Sequence, residues 1–128
     1  MPGWEDYKNT ARQRGVLAFE LYLVETTLVK DPAELQAVLP DHFSYQKKIE
    51  AEGKLFLAGP ISDPTGEKIM GNGLVIYRAS SMDEATVIAD SDPMHSTGVR
   101  EYTLRKWLVN EGSPSFSTAL SDKKVILS

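Results

Sequence analysis

The stretch Asp41-His42-Phe43-Ser44-Tyr45-Gln46-Lys47-Lys48-Ile49-Glu50-Ala51-Glu52-Gly53-Lys54-Leu55-Phe56-Leu57-Ala58-Gly59-Pro60 switches from helical to strand periodicity at a glycine. His42, Tyr45 and Ile49 follow i, i+3, i+7 spacing, which puts them on one helical face. Gly53 supplies a C-terminal stop, and Lys54 to Ala58 reads as a strand that ends in Gly59-Pro60. The expected elements are a helix near 41–52 and a strand near 54–58. Helical signals begin earlier, at Ala33-Glu34-Leu35 after Asp31-Pro32, but are interrupted by Pro40. A proline there is suited to the first turn of a new helix, where no amide donor is needed.

Working outward, residues 16–24 are rich in strand formers and predict the first strand. Ser62-Asp63-Pro64-Thr65-Gly66-Glu67 is a turn by composition, and Gly71-Asn72-Gly73 reads as another before a strand at 72–79. Ser81 can cap a helix over 82–90, with Glu84 as the acid of a capping box. Asp92 precedes Pro93 and so belongs at or beyond that helix's end. Residues 99–109 read as the fourth strand.

The order strand-helix-strand, strand-helix-strand predicts a ferredoxin-like βαββαβ α+β fold, with an antiparallel four-stranded sheet and helices on one face. Such a sheet leaves a face uncovered, which predicts a homodimer or higher oligomer with sheets face to face. The expected organisation is an N-terminal extension over 1–14, the α+β domain over 15–109 and a C-terminal extension over 110–128. Within the last, 115–120 and 124–127 flank Ser121-Asp122-Lys123 as a hairpin suited to an interface.

Composition narrows the function classes. A chain of 128 residues with 41% hydrophobic and 25% charged residues is ordinary for one soluble domain. Its net charge of −4 argues against a nucleic-acid or anionic-membrane partner recruited by bulk charge. Lys47-Lys48, set among Glu50 and Glu52, reads as a solvated helix face. The absence of cysteine excludes disulfides and thiolate chemistry. The longest apolar run, 15–21, falls short of a membrane span, and the polar start is unlike a signal peptide; a cytoplasmic protein is expected.

Two polar groups lie beside element switches: His42 on the first helix and Asp92 after the second. By spacing alone His42 is either a histidine packed on the sheet or a base facing a cleft, and Asp-Pro after a helix is common turn chemistry. Asp90 is the competing acid for that imidazole, although a solvated helix end suits it better. His95 reads as surface loop or as a second pocket residue. Two histidines and one acid at these spacings form no recognised metal signature, so no metal is expected.

His42 with Tyr45-Gln46, then 52–60, then Gly73-Leu74-Val75-Ile76-Tyr77-Arg78-Ala79, then Asp90-Ser91-Asp92-Pro93 with Gly98-Val99, together resemble the YciI-like (YCII-related) family of the dimeric α+β barrel superfamily. The resemblance spans about residues 16–108. It implies that His42 and Asp92 form a catalytic pair, which hydrogen bonding would hold within about 2.6–3.2 Å; from the residues themselves, Tyr45, Gly59 and His95 are candidate substrate-binding residues. A carboxylate on one ring nitrogen would fix the tautomer and leave the other as a base, chemistry that requires no cofactor. The implied function is a cofactor-independent lyase or isomerase, like the dehydrochlorinase of the family or the muconolactone isomerases of the wider fold. The substrate would be a small hydroxylated cyclic or aromatic compound. The alternatives are a non-catalytic ligand-binding or accessory protein and a cofactor-free monooxygenase.

Overall fold

The computed structural model describes all residues 1–128 and contains four helices and six strands. In chain order they are α1 (Trp4–Gln13), β1 (Phe19–Leu28), α2 (Pro32–Ala51), β2 (Leu55–Ser62), β3 (Ile69–Tyr77), α3 (Met82–Asp90), α4 (Pro93–Ser96), β4 (Arg100–Val109), β5 (Phe116–Ala119) and β6 (Lys124–Leu127). The first four strands form an antiparallel sheet in the order β2-β3-β1-β4, the α+β arrangement expected from the sequence. Strands β5 and β6 pair as a separate antiparallel hairpin. No helix is long and apolar enough to cross a membrane.

The chain divides into two compact units, Glu20–Trp107 and the paired chain ends Met1–Phe19 with Leu108–Ser128. In the second of these, α1 is a helix where the sequence suggests only an extension, and Arg14 lies over the Tyr7 ring. The Leu17 amide donates to the Asn110 carbonyl at 3.1 Å, and Ser115 and Ser128 exchange backbone bonds at the base of the hairpin.

Several boundaries differ from expectation, each for a local reason. The first strand runs Phe19–Leu28 rather than over 16–24. Gly15 and Ala18 have positive φ (84° and 47°), which breaks the extension, while the β-branched Thr26 and Thr27 prolong it. The first long helix is continuous over Pro32–Ala51 rather than starting at 41. Asp31 accepts from the Ala33 amide and the Glu34 carboxylate accepts from the Asp31 amide, a complete capping box ahead of Pro32. Pro40 is carried inside this helix. It removes the donor to the Gln36 carbonyl, but both residues are exposed, so solvent can satisfy that oxygen.

Strand β2 does not end at Gly59-Pro60 but continues to Ser62. Its edge position lets Pro60 dispense with a ladder donor, and the pairing shifts register beside it. Gly71-Asn72-Gly73 is not a turn; it lies within β3. Gly73 faces Pro60 on one side and Thr26 on the other, and an added Cβ would meet the Gly59 carbonyl oxygen at 3.2 Å. Ser81 caps α3 as expected, accepting from the Glu84 amide, but the Glu84 carboxylate turns to Ser80 instead of closing a box.

The core lies between the sheet and its helices. Tyr22 and Val24 of β1 and Val75 and Tyr77 of β3 pack under Ile49 of α2 and Ala85, Ile88 and Ala89 of α3. This settles which face of β1 is covered by the helices, because alternation turns Leu21 and Leu23 the other way. The fully buried Tyr77 hydroxyl has no hydrogen-bond partner. Burial, and then the nearby Asp92 charge, push this phenol far above the ordinary tyrosine range. Tyr77→Phe would remove an unpaired polar atom without changing the ring, so urea denaturation should show stability unchanged or raised by about 1 kcal/mol. A loss of similar size would mean that the hydroxyl is bonded after all.

Candidate active site

Helix α2 presents Leu35, Leu39, His42 and Gln46 along one stripe of i, i+4, i+7, i+11 spacing, and all four line a cleft of about 360 Å³. The opposite wall and floor come from β2 and β3, including Gly59, Pro60 and Gly73, with Thr26 of β1. The close approach of Gly73 to Pro60 and Thr26 keeps this floor free of side-chain bulk. The volume falls in the range typical of small-molecule sites.

Asp92 stands at the junction of α3 and α4. It caps α4, accepting from the Met94 amide at 2.9 Å, and only 1% of its surface is exposed. Its carboxylate meets His42 Nδ1 with Oδ1 at 2.8 Å and Oδ2 at 3.1 Å. A buried carboxylate is costly unless its oxygens are bonded, and these two donors answer that need. Because a carboxylate only accepts, Nδ1 carries the proton, and the lone pair of the neutral ring lies on Nε2. The Gln46 amide nitrogen approaches Nε2 at 3.4 Å, a long contact that a substrate hydroxyl can replace.

The competing acid is elsewhere engaged. Asp90 accepts from the Tyr102 hydroxyl at 2.5 Å, and burial together with this bond pushes the Tyr102 phenol up to about 12. His95 is not on a loop but in the short helix α4. Its Nδ1 donates to the Ala89 carbonyl at 2.7 Å, so in the neutral ring Nε2 accepts from the Thr26 hydroxyl at 3.0 Å. The ring also packs on Tyr102, with centroids 4.6 Å apart. His95 therefore lines the cleft with both nitrogens occupied, as a support rather than a free base.

Of the candidate substrate-binding residues, Gly59 and His95 border the cleft and Tyr45 does not. The Tyr45 hydroxyl donates to the Ile88 carbonyl at 2.6 Å and its ring packs on the core, so it ties α2 to α3. Burial and the Asp92 charge raise its phenol. The expected common face of His42, Tyr45 and Ile49 thus divides: Ile49 and Tyr45 turn to the core and His42 to the cleft. His42, Asp92 and His95 do not converge as a ligand set, since no group of three His, Cys, Asp or Glu side chains comes together.

Sequence reasoning passes over Thr26, Gln46 and Arg100. Gln46 is detectable as the i+4 neighbour of His42. Thr26 and Arg100 carry no local signal, because strand pairing alone brings them to the cleft.

With this geometry in view, the family description for the YCII-related domain matches residues 18–108. The chain belongs to the YCII-related family. Among its relatives is the uncharacterized protein YjpA of Bacillus subtilis strain 168, 33% identical over 66 residues, covering 52% of this chain and 71% of YjpA. Among solved structures, the fold resembles 5-chloro-2-hydroxyhydroquinone dehydrochlorinase (TftG) from Burkholderia phenoliruptrix AC1100, determined in complex with 2,5-dihydroxybenzoquinone. The TM-score is 0.52 at 24% identity, covering 68% of this chain and 92% of that one. The YCII-related segment takes in the four strands of the sheet except Val109, the last residue of β4, and both members of the His42–Asp92 pair.

Proposed function

We propose that this YCII-related protein is a cofactor-independent lyase or isomerase in which His42 is the general base and Asp92 its orienting carboxylate. The observation that carries the reading is the 2.8 Å bond from a buried carboxylate to Nδ1 of a histidine that lines an open cleft. Nε2 takes a proton from a ring hydroxyl or from carbon beside a carbonyl, and the freed electron pair moves into the ring. In an elimination the imidazolium returns that proton to the ring carbon bearing the leaving group, Nε2 then takes a second hydroxyl proton as the group departs as an anion, and the imidazolium finally releases that proton to water. In an isomerisation the imidazolium delivers the same proton to a different carbon. Asp92 stabilises the imidazolium between these steps.

The similarity to a dehydrochlorinase supports small hydroxylated rings as the substrate class. Chloride release from chlorinated hydroxyhydroquinones, and absorbance change with unsaturated lactones, would test the reading; turnover of one class is expected. Binding of 2,5-dihydroxybenzoquinone with no turnover of either class would overturn it in favour of a ligand-binding module.

The proposed working form is a cytoplasmic homodimer, consistent with a chain that has no cysteine. Apolar side chains on the sheet face opposite the helices support pairing: Leu57, across from Ile76, is 49% exposed and Trp107 is 43% exposed. Light scattering at micromolar concentration should give twice the 14.2 kDa chain mass, and a monomer mass would refute the dimer.

A further inference from the structure

The cleft holds one cation that the proton-transfer pair does not use. Arg100 opens β4 and lies two residues before Tyr102 and four before Leu104, both of which pack against the helix-side core. Alternation therefore points Arg100 to the same side, towards the cleft it lines. Its guanidinium reaches across β1 and donates from Nη1 to the Gly71 carbonyl at 2.8 Å. Gly71 has a φ of 88°, a conformation that suits glycine.

The other arginine of the sheet and the one just beyond β3 have partners. Arg105 pairs with Glu25, and Arg78 donates to the Gly53 carbonyl and lies 4.5 Å from the Phe56 ring centroid. Arg100 has no carboxylate within ion-pair distance. The nearest acid of the cleft, Asp92, is committed to His42 and the Met94 amide. Burial holds the Arg100 guanidinium below its ordinary range, the mark of a charge short of solvent, although it remains a cation at any physiological pH. A half-buried guanidinium has five donors in a planar fork, and one carbonyl leaves most of that fork unused.

We infer that Arg100 is the anion-recognising group of the cleft, selecting small cyclic substrates that carry a carboxylate or an equally delocalised ionised oxygen pair. This rests on the reading of the cleft as a substrate site, and it adds the charge of the substrate. The planar fork matches a two-oxygen anion, and the Gly71 carbonyl fixes the guanidinium so that little freedom is lost on binding. The anion would lie over the β1–β3 floor, with the rest of the ring extending towards Nε2 of His42. Arg100 is a binding residue here; no proton passes through it.

The test compares two probes of one shape, 2-hydroxybenzoate and its neutral amide 2-hydroxybenzamide, titrated calorimetrically into the full chain. The acid should bind at least about tenfold more tightly than the amide. Arg100→Gln should remove that preference while leaving amide affinity within about twofold, and Arg100→Lys should restore part of it. His42→Gln should keep the acid preference even as it removes the base. An Arg100-dependent preference in a protein that turns over nothing would therefore support the anion site while sinking the proton-transfer reading. Equal affinities for acid and amide, no binding of either, or equal weakening of both by Arg100→Gln would overturn the inference. Should Arg100→Gln fail to fold, the acid-to-amide ratio of the parent and of Arg100→Lys decides, and a parental ratio below about threefold refutes it.

Discussion

His42→Ala is expected to lower turnover by about 10²- to 10⁴-fold, the range set by losing a positioned general base. The imidazole is the only side chain of the cleft with a lone pair on a nitrogen that no strong donor occupies. His95, the other imidazole, has its Nδ1 on the Ala89 carbonyl and its Nε2 on Thr26, so it cannot substitute without breaking the contacts that seat α4. Alanine also leaves the buried Asp92 carboxylate with the Met94 amide as its remaining partner, which weakens the fold by about 1–3 kcal/mol. His42→Gln separates the two effects, because its amide can still donate towards Asp92 but cannot act as a base. Turnover as low as in the alanine variant, with a urea midpoint near that of the parent, is the expected result. Activity retained in His42→Gln would show that the proton is removed by another group.

Asp92 gives the second large effect, and two substitutions divide its roles. Asp92→Ala removes the cap of α4, orphans the buried Met94 amide and strips His42 of its partner. A loss of about 2–4 kcal/mol follows from these terms together. Asp92→Asn keeps an oxygen for the Met94 amide, so the cap and most of the stability should survive. That oxygen is also the one 2.8 Å from His42 Nδ1, so the Nδ1 proton keeps its acceptor, and the amide group takes the other oxygen's place. What the substitution removes is the negative charge that stabilises the imidazolium once Nε2 has taken the substrate proton. Turnover should fall by about 10²- to 10⁴-fold in a protein that melts near the parent. Nitrogen NMR of the imidazole would check the cause directly, since the proton should stay on Nδ1 in parent and variant alike. A fully active Asp92→Asn variant would refute the role of the charge and leave Asp92 as a structural cap.

The helix-glycine-strand switch at 41–60 and its counterpart at 81–109 make the four-stranded α+β plan legible, because periodicity and glycine or proline punctuation are local properties. Ser81 and Gly53 mark their helix ends for the same reason. Pro40 misleads: a proline's cost depends on whether water can reach the carbonyl it orphans, and exposure is not written in the neighbouring residues. Gly59-Pro60 and Gly71-Asn72-Gly73 likewise read as punctuation. An edge position lets β2 keep its proline, and the close approach of three backbones gives β3 its glycines.

The chain by itself carried the kinds of residue at the site, and family resemblance singled out His42 and Asp92. Spacing could not do so, since fifty residues separate them and each has an ordinary structural reading. Only the tertiary structure decided which acid meets the imidazole, because α4 turns Asp92 inward while Tyr102 holds Asp90 away. Only it turned Tyr45 to the core, engaged both nitrogens of His95, and brought Thr26 and Arg100 from two different strands to one floor. Local sequence governs backbone periodicity, whereas the partner that a polar side chain finds depends on strand order and burial, which are properties of the whole fold.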